Sequence, residues 1–373
     1  MKPKSKGIGL AIVGGGRMGL FRGGVARRHL GVDWIGLAEK NPERARETAK
    51  AIGADFVTAD HRELLARKEV NAAIIATEEH LHVDPIMTCV AHGHDMIIEK
   101  PLAIDLGESE RVLAAVKKAK VDATLGYTQR FRRKWLSGKG QVETGALGDV
   151  TMVTSRVLMN RLVALECLRR SNRPDLATPM VVSGTHALDV VMWYMEKKTP
   201  VEVYARSVDT VFGKTHGGID GTAGQIIFSD GSIYHLSINW ALPVVWPGAV
   251  YSLDVSIVGT GGVLTIDDTH RDMVMAVTSP QSVGYAPDKS RLVDFLGSYP
   301  PGDIVQGELR GPMRDETDQW LTRLALGVPS VHATVDDGHS RLMLTKALDL
   351  SAKLKKPVKL PLTAETEREL LGA

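Results

Sequence analysis

The hydrophobic pattern of the chain changes character once. Up to about residue 125 the apolar runs are short and continuous: Ile8–Val13, Trp34–Ala38, Ala72–Ala76, Met96–Ile98 and a weaker Ala123–Leu125. Continuous rather than alternating apolarity suits strands buried on both faces of a parallel sheet. Helical patterns lie between them. Pro42–Ile52 begins with a proline, whose missing N–H costs nothing in a first turn. Leu106–Ala119 places Val112, Leu113 and Val116 on one face and ends in Lys117 and Lys118, which suit the negative end of a helix dipole. Together these segments predict a doubly wound α/β unit whose ligands sit at the carboxyl ends of its strands.

Beyond that point the period becomes two. Tyr234, Leu236, Ile238 and Trp240 alternate with polar residues, as do Leu253, Val255 and Ile257. Such alternation predicts antiparallel strands with faces of different polarity. Asp230-Gly231 marks a two-residue hairpin and Gly259–Gly262 another tight bend. Residues 277–312, with scattered prolines and glycines, read as a long loop. The stripe Met343, Ala347, Leu350 and Leu354 predicts a helix over 336–354. The expected architecture is a doubly wound Rossmann-type domain over 1–125. An α+β domain over 126–373 follows, with a largely antiparallel open sheet, and a C-terminal helix 336–355 that packs back towards the first domain. Such a sheet needs cover on both faces, which points to an oligomer.

Composition narrows the classes. The 373 residues allow two domains of ordinary size with large cores. A net charge of +2 gives no reason to expect nucleic acid or membrane as partner. The basic start is followed by too short an apolar run for a signal peptide, and no apolar stretch nears the roughly 18 residues of a membrane span. Two cysteines, Cys89 and Cys167, make neither a disulfide framework nor a cysteine metal site. The expected location is the cytoplasm.

Candidate chemistry gathers in three places. Gly14-Gly15-Gly16-Arg17-Met18-Gly19 lies between an apolar strand and a helix, the context in which a glycine turn cradles a pyrophosphate. Gly14 serves the tight turn, Gly16 the close approach of backbone to phosphate, and Gly19 the packing of helix on strand. Glu39, at the end of the next apolar run, supplies the carboxylate that binds adenosine ribose hydroxyls and favours NAD. Lys40 and Arg17 keep NADP open as the alternative. Glu99-Lys100-Pro101 ends a buried strand at the carboxyl edge, with a solvated surface pair as the plain alternative. His186 and Asp189 are helical neighbours on an apolar helix, where a structural histidine is the plain alternative.

In order and spacing these motifs resemble the Gfo/Idh/MocA family of NAD(P)-dependent oxidoreductases over most of the chain. Gly14–Gly19 and Glu39–Ala45 match its dinucleotide site, and Glu99-Lys100-Pro101 its most specific signature. Thr77–His82 resembles its Thr-Pro-x-x-x-His loop, with Glu78 in place of proline. Gly126–Phe131 matches the entry to its second domain, and His186 with Asp189 its substrate-domain helix.

The resemblance implies hydride transfer at a hydroxyl or carbonyl carbon of a sugar, polyol or related compound. Lys100 would orient the reacting oxygen and His186 act as general acid/base. Arg17, Met18, Thr77, His82, Glu99 and Gln129 would join the glycines, Glu39, Lys40 and Lys100 on the cofactor, and Arg130, Val182 and Asp189 would join Lys100 and His186 on the substrate. Val182 stands where many members have an aspartate, so an inositol-like specificity does not carry over directly. A dinucleotide sensor, and an enzyme using tightly held NAD in a net non-redox elimination or hydrolysis, are the other readings.

Arg156, Arg161, Arg169, Arg170 and Arg173 precede that helix and could hold an anionic substrate group or simply be solvated. His80, His82, His92 and His94 are not completed by a carboxylate or cysteine set, so no metal is expected.

Overall fold

The computed structural model of the chain describes residues 7–170, 173, 175–243, 251–267, 273–283, 286–296 and 302–372. The chain divides into two compact units, Met1–Arg132 with Pro301–Leu342, and Arg133–Pro300 with Met343–Ala373.

The first unit is the doubly wound sheet. Its strands are β1 (Ile8–Val13), β2 (Val32–Ala38), β3 (Phe56–Thr58), β4 (Ala72–Ile75), β5 (Asp95–Ile98) and β6 (Ala123–Leu125). They lie parallel in the order β3-β2-β1-β4-β5-β6, and Ala333–Thr334 adds an antiparallel strand beside β6. The order reverses at β1, the crevice where such sheets bind ligands. Two helices follow from local chemistry near that point. Helix α1 (Arg17–Ala26) starts at the glycine turn, and α2 (Pro42–Ile52) is capped by Asn41 Oδ1 accepting from Arg44 N at 3.0 Å. Leu106–Ala119 forms as predicted, with the Asp105 side chain as its N-cap.

Residues 301–342 return to this unit, where the sequence placed them with the second domain. The helix Pro312–Leu326 packs on α1, and its Trp320 and Leu321 join Ile8, Leu10, Ile12, Ile35 and Leu37 in one core. Within 277–312 the expected loop is corrected. Met273–Val283 and Ala286–Leu296 pair antiparallel, and Asp303–Val305 pairs with Glu308–Arg310. The register breaks between Ala276 and Gln281, which accommodates Pro280 where a ladder N–H is missing.

The second unit carries β7 (Val150–Asn160), β8 (Pro200–Val208), β9 (Gly221–Phe228), β10 (Ile233–Leu242), β11 (Tyr251–Gly259) and β12 (Gly262–Asp267). Their order is β12-β11-β7-β10-β9-β8, with Val358–Lys359 at the edge beyond β8, and every pairing but β10 with β7 is antiparallel. Gly231 turns the β9–β10 hairpin at φ +82°. Val153, Val157, Leu236, Ile238 and Trp240 are buried under the helical side. The opposite face carries a depression of about 830 Å³ lined by Arg156, Tyr204, Arg206, Gln225, His235 and Asp254 among others. Among the described residues no helix is long and apolar enough to cross a membrane.

Candidate active site

In the first unit the glycine turn is built around three different needs. Gly14 has φ +100°, and a Cβ there would stand 2.5 Å from the Ala76 carbonyl oxygen. A Cβ on Gly19 would stand 1.9 Å from the Gly14 carbonyl oxygen, so that position is closed by packing. A Cβ on Gly16 would meet nothing within 4 Å. Gly16 is also the N-cap of α1 and offers no side chain to cap the first N–H groups of the helix. Open backbone at a positive helix end fits a pyrophosphate. Arg17 is exposed and Met18 half-buried on the first turn.

Glu39 is buried beside the turn. Its Oε2 accepts from Gly15 N at 2.8 Å, and its Oε1 from Asn41 N and Arg44 Nη2, both at 2.8 Å. Burial opposes ionisation, but the hydrogen bonds from Arg44, Asn41 and Gly15 prevail and hold the carboxyl below its ordinary value. Lys40 next to it is exposed.

The loop after β4 carries two buried polar atoms without a protein partner, Thr77 Oγ1 and His80 Nδ1. Such atoms need a ligand or water to satisfy them, and they stand at the carboxyl edge that the glycine turn borders. His82 is fully buried, with Nδ1 2.8 Å from the Pro101 carbonyl oxygen and Nε2 3.2 Å from that of Thr77. Burial keeps the imidazole neutral, so its one N–H donates to one of the two carbonyls, and the shorter contact, to Pro101, joins this loop to the one after β5. Glu99 and Pro101 are buried and Lys100 between them is half-buried. Gln129 and Arg130 are buried in the segment after β6. Gln129 Oε1 accepts from Arg132 Nη1 at 3.3 Å, and Arg130 Nη2 pairs with Asp337 at 3.4 Å.

The second unit positions His186. Met180–Gly184 is a stretch of π-helix, wholly buried, that runs into the helix Thr185–Tyr194. Single π turns often mark functional sites. Thr178 fixes the start of the turn: its hydroxyl accepts from Val181 N at 3.1 Å and donates to Asp349 Oδ2 at 2.5 Å. Within Thr185–Tyr194 every residue except His186 is buried, so the histidine is the one opening on that helix. Val182 is 3% exposed and Asp189 0%, which packs the aspartate inside the unit.

The arginines before this helix have local partners. Arg156 pairs with Asp254 on the exposed sheet face and Arg161 donates to the carbonyls of Ala241 and Leu242. Arg169 pairs with Glu166, and Arg173 with Asp175. The side chain of Arg170 lies outside the described residues. His92 and His94 stack on each other, and no group of three metal-binding side chains stands together among the described residues.

Sequence reading missed Arg22 and Glu316, which meet in the first unit. The signal for Arg22 was its place on the inner face of α1 with Gly19, Gly23 and Ala26, all too small to fill that face.

Comparison with known proteins covers both units. Residues 8–127 match the model described as "Oxidoreductase family, NAD-binding Rossmann fold" (GFO_IDH_MocA), and residues 139–360 its "C-terminal alpha/beta domain". The myo-inositol 2-dehydrogenase of Thermotoga maritima is 24% identical, over 94% of this chain and 98% of that enzyme. The inositol 2-dehydrogenase of Gluconacetobacter diazotrophicus is 27% identical over 51% of this chain, a match spanning about half, 55%, of that relative's length. Among solved structures, GenD2 from gentamicin A biosynthesis, in complex with NAD, superposes with a TM-score of 0.77 at 20% identity, over 97% of this chain and 100% of that one. That likeness carries the fold.

Proposed function

We propose, from the premise that this chain belongs to the Gfo/Idh/MocA oxidoreductase family and binds NAD in its Rossmann unit, that it oxidises a CH–OH carbon of a polyol or sugar, or reduces the matching carbonyl. NAD supplies the hydride acceptor or donor. The open backbone at Gly16, the first N–H groups of α1 and the Glu39 carboxylate bind and orient it. Lys100 orients the reacting oxygen, and its ammonium stabilises negative charge developing there. His186 takes the hydroxyl proton in oxidation and returns it in reduction, the task for which an imidazole is suited near neutral pH. The observation that supports the second role is that His186 alone on that helix is half-buried rather than fully buried.

The polyol class rests on what the named relatives act on. Val182 offers no hydroxyl-binding group, so the substrate presents an apolar ring edge or a different hydroxyl pattern there. The polar sheet face of the second unit packs against a second copy in a homodimer or homotetramer. The buried, unbridged Cys89 and Cys167 suit a reducing cytoplasm. NADH formation from a panel of inositol isomers and aldoses tests the reaction. Turnover of any one supports it. A stoichiometric NAD complex that oxidises no member of the panel contradicts it.

A further inference from the structure

Arg22 is 0% exposed in the first unit. A guanidinium buried so deeply is costly unless its donors are met, and here each arm has a partner. Nε donates to Glu99 Oε1 at 2.7 Å, Nη2 to Glu316 Oε2 at 2.8 Å and Nη1 to Thr317 Oγ1 at 2.9 Å. Thr128 Oγ1 donates to the same Glu316 oxygen at 2.8 Å. Gly126 passes close by: a Cβ there would stand 2.7 Å from Arg22 Nη2 and 3.3 Å from Glu99 Oε2. One side chain thus joins α1, the end of β5, the segment after β6 and the helix Pro312–Leu326.

Apolar side chains of similar volume would hold four segments together at least as well. What a planar fork adds is direction. It fixes the Glu99 carboxylate, and Glu99 is covalently next to Lys100. On the other side of Lys100, the Pro101 carbonyl is held by His82. Lys100 therefore stands between two anchored neighbours.

We propose that Arg22 is a positioning residue that acts through Glu99 to set the place of the Lys100 ammonium. The inference rests on the role given to Lys100 above.

A double-mutant cycle tests it. Arg22→Lys keeps the charge and loses the fork. With NAD and the inositol isomer that gives most NADH, Arg22→Lys lowers kcat at least about tenfold in the parent, while KM and NAD Kd stay within about threefold. In a Lys100→Met background the same change alters the residual rate less than about twofold. Equal losses in both backgrounds, or a loss confined to KM or Kd, overturn the proposal. If Arg22→Lys does not fold, Glu99→Gln keeps an acceptor for Arg22 Nε and replaces it in the cycle, and additivity there overturns the proposal equally.

If no inositol is turned over, reductive methylation with formaldehyde and borohydride gives the readout, with peptide masses comparing Lys100 with exposed Lys50. A change of at least about threefold in that ratio in Arg22→Lys supports the proposal, and an unchanged ratio overturns it. Full turnover by Lys100→Met alone removes the role of Lys100. Loss in Lys100→Met with a silent Arg22→Lys removes only this inference.

Discussion

Arg44 Nη2 stands 2.8 Å from Glu39 Oε1, so the proposed ribose acceptor, the residue after β2, already holds three hydrogen bonds. A carboxylate offers about four lone-pair positions. One remains for a ribose hydroxyl, and a second opens only when Arg44 withdraws. Glu39→Ala therefore removes the ribose acceptor and releases Gly15 together, and NAD Kd rises about ten- to hundredfold in a fluorescence titration. The preference for NAD over NADP narrows in the same variant, because the carboxylate that repels a 2′-phosphate is gone while Lys40 and Arg44 remain. Arg44→Ala, which leaves Glu39 both backbone donors, keeps NAD Kd within about threefold.

Two glycines of one turn separate binding from folding. Gly16→Ala adds a methyl to open space, so thermal stability is unchanged and NAD affinity falls at least about tenfold. Gly19→Ala drives a methyl into the Gly14 carbonyl and costs about 1–3 kcal/mol or more in denaturant unfolding. The reverse order of effects would show that the open space beside Gly16 is not where the dinucleotide lies.

The Asp349 carboxyl beneath the π turn is pushed by burial up to about 6 from its ordinary 3.8, against its hydrogen bond from Thr178. The folded chain thus keeps a proton that the unfolded chain has already lost. Ionising the buried group costs stability above about pH 6, and the cost is relieved as pH falls from there towards the unfolded value. Asp349→Asn retains an acceptor for Thr178 and is more stable than the parent at about pH 8, by on the order of 1–3 kcal/mol. The advantage shrinks below pH 6. Urea unfolding on both sides of that pH measures it.

Local physics made part of this legible in the sequence. Strands β1, β2, β4, β5 and β6 announced themselves as continuous apolar runs, and Leu106–Ala119 by its apolar face and charged last turn. Strand β3, at Phe56–Thr58, is too short for a pattern to register. The helix Pro312–Leu326 was invisible because Glu316 and Thr317 interrupt its buried stripe. Those residues accept from Arg22, almost three hundred positions away, and no local spacing reports such a bond. The strand–turn–helix around Gly14–Gly19 was readable because that backbone geometry is written locally, and Glu39 closes on it through Gly15 N. Asp189 shows the opposite case. Its spacing from His186 is helical, but which side of the helix faces the core depends on packing, and the aspartate is the buried one.

Lys100 and His186 are proposed to act on the reacting oxygen. The most direct test is steady-state turnover of Lys100→Ala and His186→Ala with NAD and the inositol isomer that the parent oxidises fastest. NAD Kd is measured on the same preparations. A fall in kcat of about 10²–10⁴ is expected in each variant, with NAD Kd changed far less. Turnover at the parent rate in both variants would contradict it.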